Sequence, residues 1–170
     1  MDTPKTLVMA ALLALLLTAG CATQPNQHGI PNFGQTGPGR YHGGELTDAG
    51  RAWLAANGVT NVIRLDGGAE PGNWAAVVAE PISTWEQCFG GAAMDGKIVR
   101  AVAFLAAHPG TYLHCAHGNN RTMTAIGIYL VEGCGWPVGA AQAEMDRYGW
   151  EDSFPGLKAC WRKHRTEIRP

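Results

Sequence analysis

The chain has 170 residues, 46% of them hydrophobic and 16% charged, which is ordinary for one globular domain. Its 13 Lys+Arg against 14 Asp+Glu give a formal net charge of -1. Beyond Arg162, Lys163, His164 and Arg165 no basic block stands out, so charge gives no reason to propose a nucleic-acid partner. The chain is expected to act as a monomer.

At the N-terminus Lys5 precedes an apolar run over residues 7–17, too short to span a bilayer comfortably. It ends in Leu17-Thr18-Ala19-Gly20-Cys21, small residues before a cysteine, which resembles the lipobox of bacterial lipoproteins. That resemblance implies cleavage before Cys21 and lipid on its thiol. The chain would then be exported and held on the periplasmic side of a membrane. Ala22 does not resemble the aspartate of inner-membrane retention signals, which favours the outer membrane. A plain signal peptide or an uncut anchor is the alternative. Residues 21–39 are polar and rich in Gly, Pro, Gln and Asn, so they read as a flexible tether, with the folded domain starting near Arg40.

Thr47 has the chemistry of an N-cap for a helix over residues 49–57, stopped by Gly58. Residues 59–65 are apolar and β-branched, a buried strand. Asp66-Gly67-Gly68 turns the chain, and residues 74–78 form a second strand. Residues 81–95 are mixed in character and read as a loop. Apolar residues at helical spacing (Ile98, Val99, Val102, Leu105) predict a helix over 95–108, stopped by Pro109-Gly110. Residues 111–114 form a short strand. Three helices follow, over 122–132, 138–148 and 157–168. Alternating strands and helices predict a single compact α/β domain with a mainly parallel central sheet flanked by helices. Ligands bind such sheets at the carboxyl ends of the strands.

The strand ending at His114 runs into Cys115-Ala116-His117-Gly118-Asn119-Asn120-Arg121-Thr122. A loop that opens a helix offers unpaired backbone N–H groups, which suit an oxyanion. Gly118 permits a tight turn with positive φ. Arg121 brings a planar fork that can bind two phosphate oxygens. Dipoles and a guanidinium around Cys115 favour its thiolate, the form that attacks phosphorus. Thr122 can donate its hydroxyl to the sulfur and help it leave, and His114 can orient the loop. Residues 116–121 are therefore the candidate phosphate-binding residues.

This HCAHGNNRT segment resembles the signature of protein tyrosine and dual-specificity phosphatases. Residues 39–44, the GVTNVIRLD segment and GWPVGAAQAEMDRYGW are also similar to compact bacterial members, so the resemblance covers roughly residues 37–165. It implies hydrolysis of phosphomonoesters through a cysteinyl phosphate. The substrate would be phosphotyrosine, phosphoserine/threonine or a small phosphorylated molecule, and no cofactor is needed. The loop carries no lysine, which tilts towards a singly phosphorylated substrate. The pattern also resembles RNA triphosphatase domains of capping enzymes. A phosphate-binding module without turnover, displayed on a membrane, is a further reading.

The resemblance fails at two places, the general acid and Met123. The family's general acid is an aspartate on a loop about thirty residues before the cysteine, and this chain has Thr84 near that position. Glu86 is the best nearby carboxylate, Asp95 the second candidate and Glu80 a weaker one. His117 could also move a proton, since imidazoles as a class titrate near neutrality, and the reaction could run without an acid. Met123 stands where the family usually has glycine. Cys88, Cys134 and Cys160 leave three disulfide pairings open, and Cys88 could instead bridge to Cys115. No His/Cys spacing suits zinc, so no metal is expected.

Overall fold

The computed structural model describes residues 26–165. The expected lipobox and Cys21 therefore lie outside the described residues, as do residues 166–168 of the last expected helix. In chain order the elements are β1 (Gly34–Gly37), β2 (Arg40–Gly43), α1 (Asp48–Ala56), β3 (Asn61–Arg64), β4 (Ala76–Ala79), α2 (Thr84–Phe89), α3 (Ala92–Ala107), β5 (Thr111–His114), α4 (Asn120–Ile128), a π-helical turn (Tyr129–Gly133), α5 (Val138–Arg147) and α6 (Pro155–His164).

The five strands form one sheet in the order β1-β2-β5-β3-β4. Only β1 and β2 pair antiparallel; β5 runs parallel to both β2 and β3, and β3 parallel to β4. The mainly parallel α/β sheet expected from the sequence is the one observed. Its middle strands are buried on both faces, which explains their unbroken apolar runs. Ile63 and Leu113 join a core shared with α3 to α6, while their neighbours Val62 and Tyr112 join a second core with Leu54 of α1. Thr47 caps α1 as its chemistry predicts, its hydroxyl accepting from Gly50 N at 3.1 Å.

Three expectations need correction. Residues 26–39 do not all belong to a tether. Ile30 is fully buried and Phe33 nearly so, His28 stacks on Trp53 at 4.0 Å, and β1 closes the sheet edge. Two apolar anchors outweigh the polar composition around them. Residues 81–95 are not a loop, because α2 and the start of α3 lie there. Ser83 and Glu86 form a reciprocal capping box: Ser83 Oγ accepts from Glu86 N at 3.2 Å and the Glu86 carboxylate from Ser83 N at 2.8 Å. Gly90, at φ 68°, ends α2 after six residues. Finally, the helix expected over 122–132 starts at Asn120 and loosens into the π turn after Ile128, where Cys134 N bonds to Tyr129 O. Among the described residues no helix is long and apolar enough to cross a membrane.

Candidate active site

The loop between β5 and α4 sits at the carboxyl end of the central strand, where a parallel sheet presents its ligand site. Its shape is fixed from behind by the end of β2. Gly118 has φ 76°, and a Cβ there would fall 2.4 Å from Gly43 C and 2.5 Å from Gly44 N, so only glycine fits. Glu45 N donates to Ala116 O at 3.0 Å, and Asn32 Nδ2 to His117 O at 2.9 Å. With these carbonyls taken, the N–H groups of Ala116, His117, Gly118, Asn119 and Arg121 have no acceptor among the described residues. That is the donor set an oxyanion needs.

A cavity of about 210 Å³ opens over the loop, lined by Cys115, His117, Asn119, Asn120 and Arg121 together with Thr84, Gln87 and Phe154. Cys115 lies at its base, 2% exposed. The Thr122 hydroxyl is 3.1 Å from Cys115 Sγ and 3.4 Å from Gly43 O, so its single proton can serve the sulfur. Arg121 is steadied by one bond, Nη1 to Ile82 O at 3.1 Å. Asn120 is tied elsewhere: its Oδ1 accepts from Glu151 N at 2.8 Å, and its carbonyl from the Thr124 hydroxyl. Its side chain braces the rim rather than binding through its amide oxygen.

His114 is fully buried behind the loop. Its Nδ1 lies 3.4 Å from Cys115 O, and its Nε2 donates to Glu70 Oε2 at 2.9 Å. Glu70 also accepts from Arg64 Nη1 at 3.3 Å. Arg64 Nε lies 3.0 Å from Asp66 Oδ1, close but poorly aligned for a hydrogen bond. Burial alone would raise the Glu70 carboxyl; the hydrogen bond and charge of His114, and those of Arg64, outweigh it and hold it below the usual range. Burial, with Cys115 and Glu70 nearby, pushes the Tyr112 phenol well up, so it stays a neutral donor to Gly44 O at 2.5 Å.

The candidate acids are not at the cavity. Glu86 accepts from Lys97 Nζ at 2.7 Å as well as from Ser83 N and Oγ, and those bonds hold its carboxyl below the usual range. A general acid needs the opposite shift. Asp95 pairs with Lys163 at 2.8 Å and Glu80 with both nitrogens of the Arg100 fork. No carboxylate is among the cavity's lining residues, and His117 is the remaining titratable side chain there besides Cys115 and Arg121. Met123 is fully buried in the core. Cys88, Cys115, Cys134 and Cys160 are all free thiols.

Sequence reasoning missed Glu70 and Gln87. Nothing in local spacing marks Glu70, which reaches His114 only through the fold. Gln87 was findable: the S-x-x-E capping box predicts α2, and one helical turn then puts Thr84 and Gln87 on one face.

No family model matches the chain, and no curated protein matches it. Solved structures do. TpbA of P. aeruginosa is 22% identical, with a TM-score of 0.65, covering 85% of this chain and 91% of its own. A cysteine-to-serine variant of TpbA in complex with phosphotyrosine is 21% identical, TM-score 0.66, with the same coverage. The core catalytic domain of the PP-IP phosphatase SIW14 of S. cerevisiae is 13% identical, TM-score 0.64, covering 84% of this chain and 88% of its own. The chain has the single-domain α/β fold of these phosphatases.

Proposed function

We propose that the chain is a cysteine-dependent phosphatase of the tyrosine/dual-specificity type, acting on phosphomonoesters. The observation that carries this reading is the placement of Cys115 Sγ at the base of the cavity, 3.1 Å from the Thr122 hydroxyl, beneath unpaired loop N–H groups and Arg121. Cys115 attacks phosphorus; the S–P bond forms as the P–O bond to the leaving group breaks, and that electron pair passes to the leaving oxygen. The loop N–H groups and the Arg121 fork hold the remaining phosphate oxygens as charge shifts onto them. Water then attacks phosphorus, sulfur departs as thiolate with the Thr122 hydroxyl donating to it, and inorganic phosphate is released. His114 holds the loop's first residue and does not touch substrate. The fold similarity to TpbA and SIW14 supports the reading without naming the substrate.

The lipobox-like Leu17-Thr18-Ala19-Gly20-Cys21 supports an exported chain held by lipid at a membrane surface. Acylation at Cys21 is checked by mass spectrometry, with Cys21→Ala as the unmodified reference.

The test of activity is p-nitrophenyl phosphate hydrolysis by the reduced chain, beside Cys115→Ser. Turnover that disappears in the variant, with phosphate binding retained, is the expected result. The absence of a lining carboxylate favours one rival, a phosphate-binding module. Phosphate binding without turnover in the unmodified chain establishes that rival instead.

A further inference from the structure

Gln87 stands out among the lining residues. It is 4% exposed, yet no side-chain hydrogen bond among the described residues involves its amide, unlike the carboxylate of its α2 neighbour Glu86. Neither amide atom is an enclosed orphan, and the residue lines the cavity with Thr84, one turn before it on α2. A buried amide without a protein partner costs stability unless a ligand or water completes it. The cavity it faces ends at Cys115, and the carboxylates nearest in sequence are locked into ion pairs elsewhere.

We propose that Gln87 is a catalytic residue of the phosphatase reaction, donating a hydrogen bond from its amide N–H to the leaving-group oxygen. The inference rests on the reading above and deepens it. A glutamine gives no proton. As the Cys115–phosphorus bond forms, the leaving oxygen takes the P–O electron pair and departs as an anion, held by the Gln87 N–H. It collects its proton from water after release. A neutral donor stabilises developing charge less than a carboxylic acid does. The site therefore selects aryl phosphates, whose phenolate is a stable anion, over alkyl phosphates, whose alkoxide is not. In the second step the Gln87 carbonyl can accept from the attacking water, whose proton passes on to solvent.

The test compares kcat/KM, which reports the first chemical step together with binding, for phenyl and p-nitrophenyl phosphate. The variants are Gln87→Met, which keeps the side chain's length and removes its donor, and Glu86→Gln, which perturbs the cap of the same helix without reaching the cavity. Gln87→Met is expected to lose about tenfold on phenyl phosphate and about twofold on p-nitrophenyl phosphate, because a more basic leaving oxygen gains more from a donor. It should still bind inorganic phosphate, and Glu86→Gln should leave the ratio of the two substrates unchanged. An equal loss on both substrates, or no loss, overturns the proposal. So does a leaving-group-dependent loss in Glu86→Gln, which would trace the effect to helix placement, or in His117→Ala with none in Gln87→Met, which would assign the proton to the histidine. No turnover of p-nitrophenyl phosphate by the unmodified chain overturns the phosphatase reading itself, a result distinct from all of these.

Discussion

Glu70 is the side chain on which the buried polar cluster behind Cys115 depends. It shares the neutralisation of Arg64 with Asp66 and Glu45, and it fixes the proton on His114 Nε2. His114 is fully enclosed, and the Arg64 and Glu70 side chains are 7% and 2% exposed, so water cannot replace a lost partner. Removing one member of a buried pair costs about 3–5 kcal/mol when the other charge is left uncompensated, and Asp66 and Glu45 beside Arg64 set the loss here at or below the lower end of that range. Glu70→Ala should show that loss in a urea titration, and Glu70→Gln, which keeps an acceptor for His114, a smaller one. Equal stability of Glu70→Ala and the parent would show that the cluster relaxes to solvent. Cys115, Arg121 and Thr122 could be read from sequence because one short loop carries all three. Glu70 and Gln87 could not be read by the same route, since separate elements far up the chain deliver them. The same gap separates the candidate acids from the cavity: Glu86 and Asp95 are near the expected place in sequence, but they pair with Lys97 and Lys163 and do not line it.

The element that carries the proposed leaving-group donor is α2, and its position depends on one close approach. A Cβ on Gly156, in the first turn of α6, would lie 2.4 Å from both Glu86 O and Gly90 N and 2.7 Å from Gln87 O. These are backbone atoms, which cannot rotate away, so the two helices touch only because residue 156 lacks a side chain. Gly156→Ala should push α2 outward, destabilise the fold by about 1–3 kcal/mol, and lower turnover of phenyl phosphate more than stability alone explains. Turnover per folded molecule, from activity scaled by a circular-dichroism melt, separates the two effects. Unchanged turnover per folded molecule would mean that α2 need not be held there. Strands β3 and β5 were legible as apolar runs because they are buried on both faces, whereas β1 (Gly34–Gly37) and β2 (Arg40–Gly43), rich in glycine and polar residues, were not read as strands. Six-residue α2 was not, because it lacks the length for an apolar period and exposes Trp85 and Phe89. Its capping box was the remaining signal.

At the scale of the whole molecule, the sheet encloses a second histidine with no such support. His42 on β2 is fully buried, packs edge-on against Tyr148 at 4.6 Å, and neither ring nitrogen has a hydrogen-bond partner among the described residues. Burial, with Arg147 nearby, pushes its pKa down to about 3 from the ordinary 6.5. The unfolded chain therefore binds a proton that the folded chain refuses between those values, so stability falls as pH drops through 6.5 and is unaffected by this group above it. At pH 5 the gap is about 1.5 pH units, or about 2 kcal/mol at 1.36 kcal/mol per unit. In a domain whose total is about 5–15 kcal/mol, that is a large share. It also confounds phosphatase assays in mildly acidic buffer, where lost fold would imitate a titrating catalytic group. His42→Leu fills similar space with nothing to protonate. Between pH 7.5 and 5 the parent chain should lose about 2 kcal/mol more than this variant in urea titrations, by the same arithmetic. Equal losses would mean that the His42 ring finds a partner, such as a buried water, that lets it charge in place.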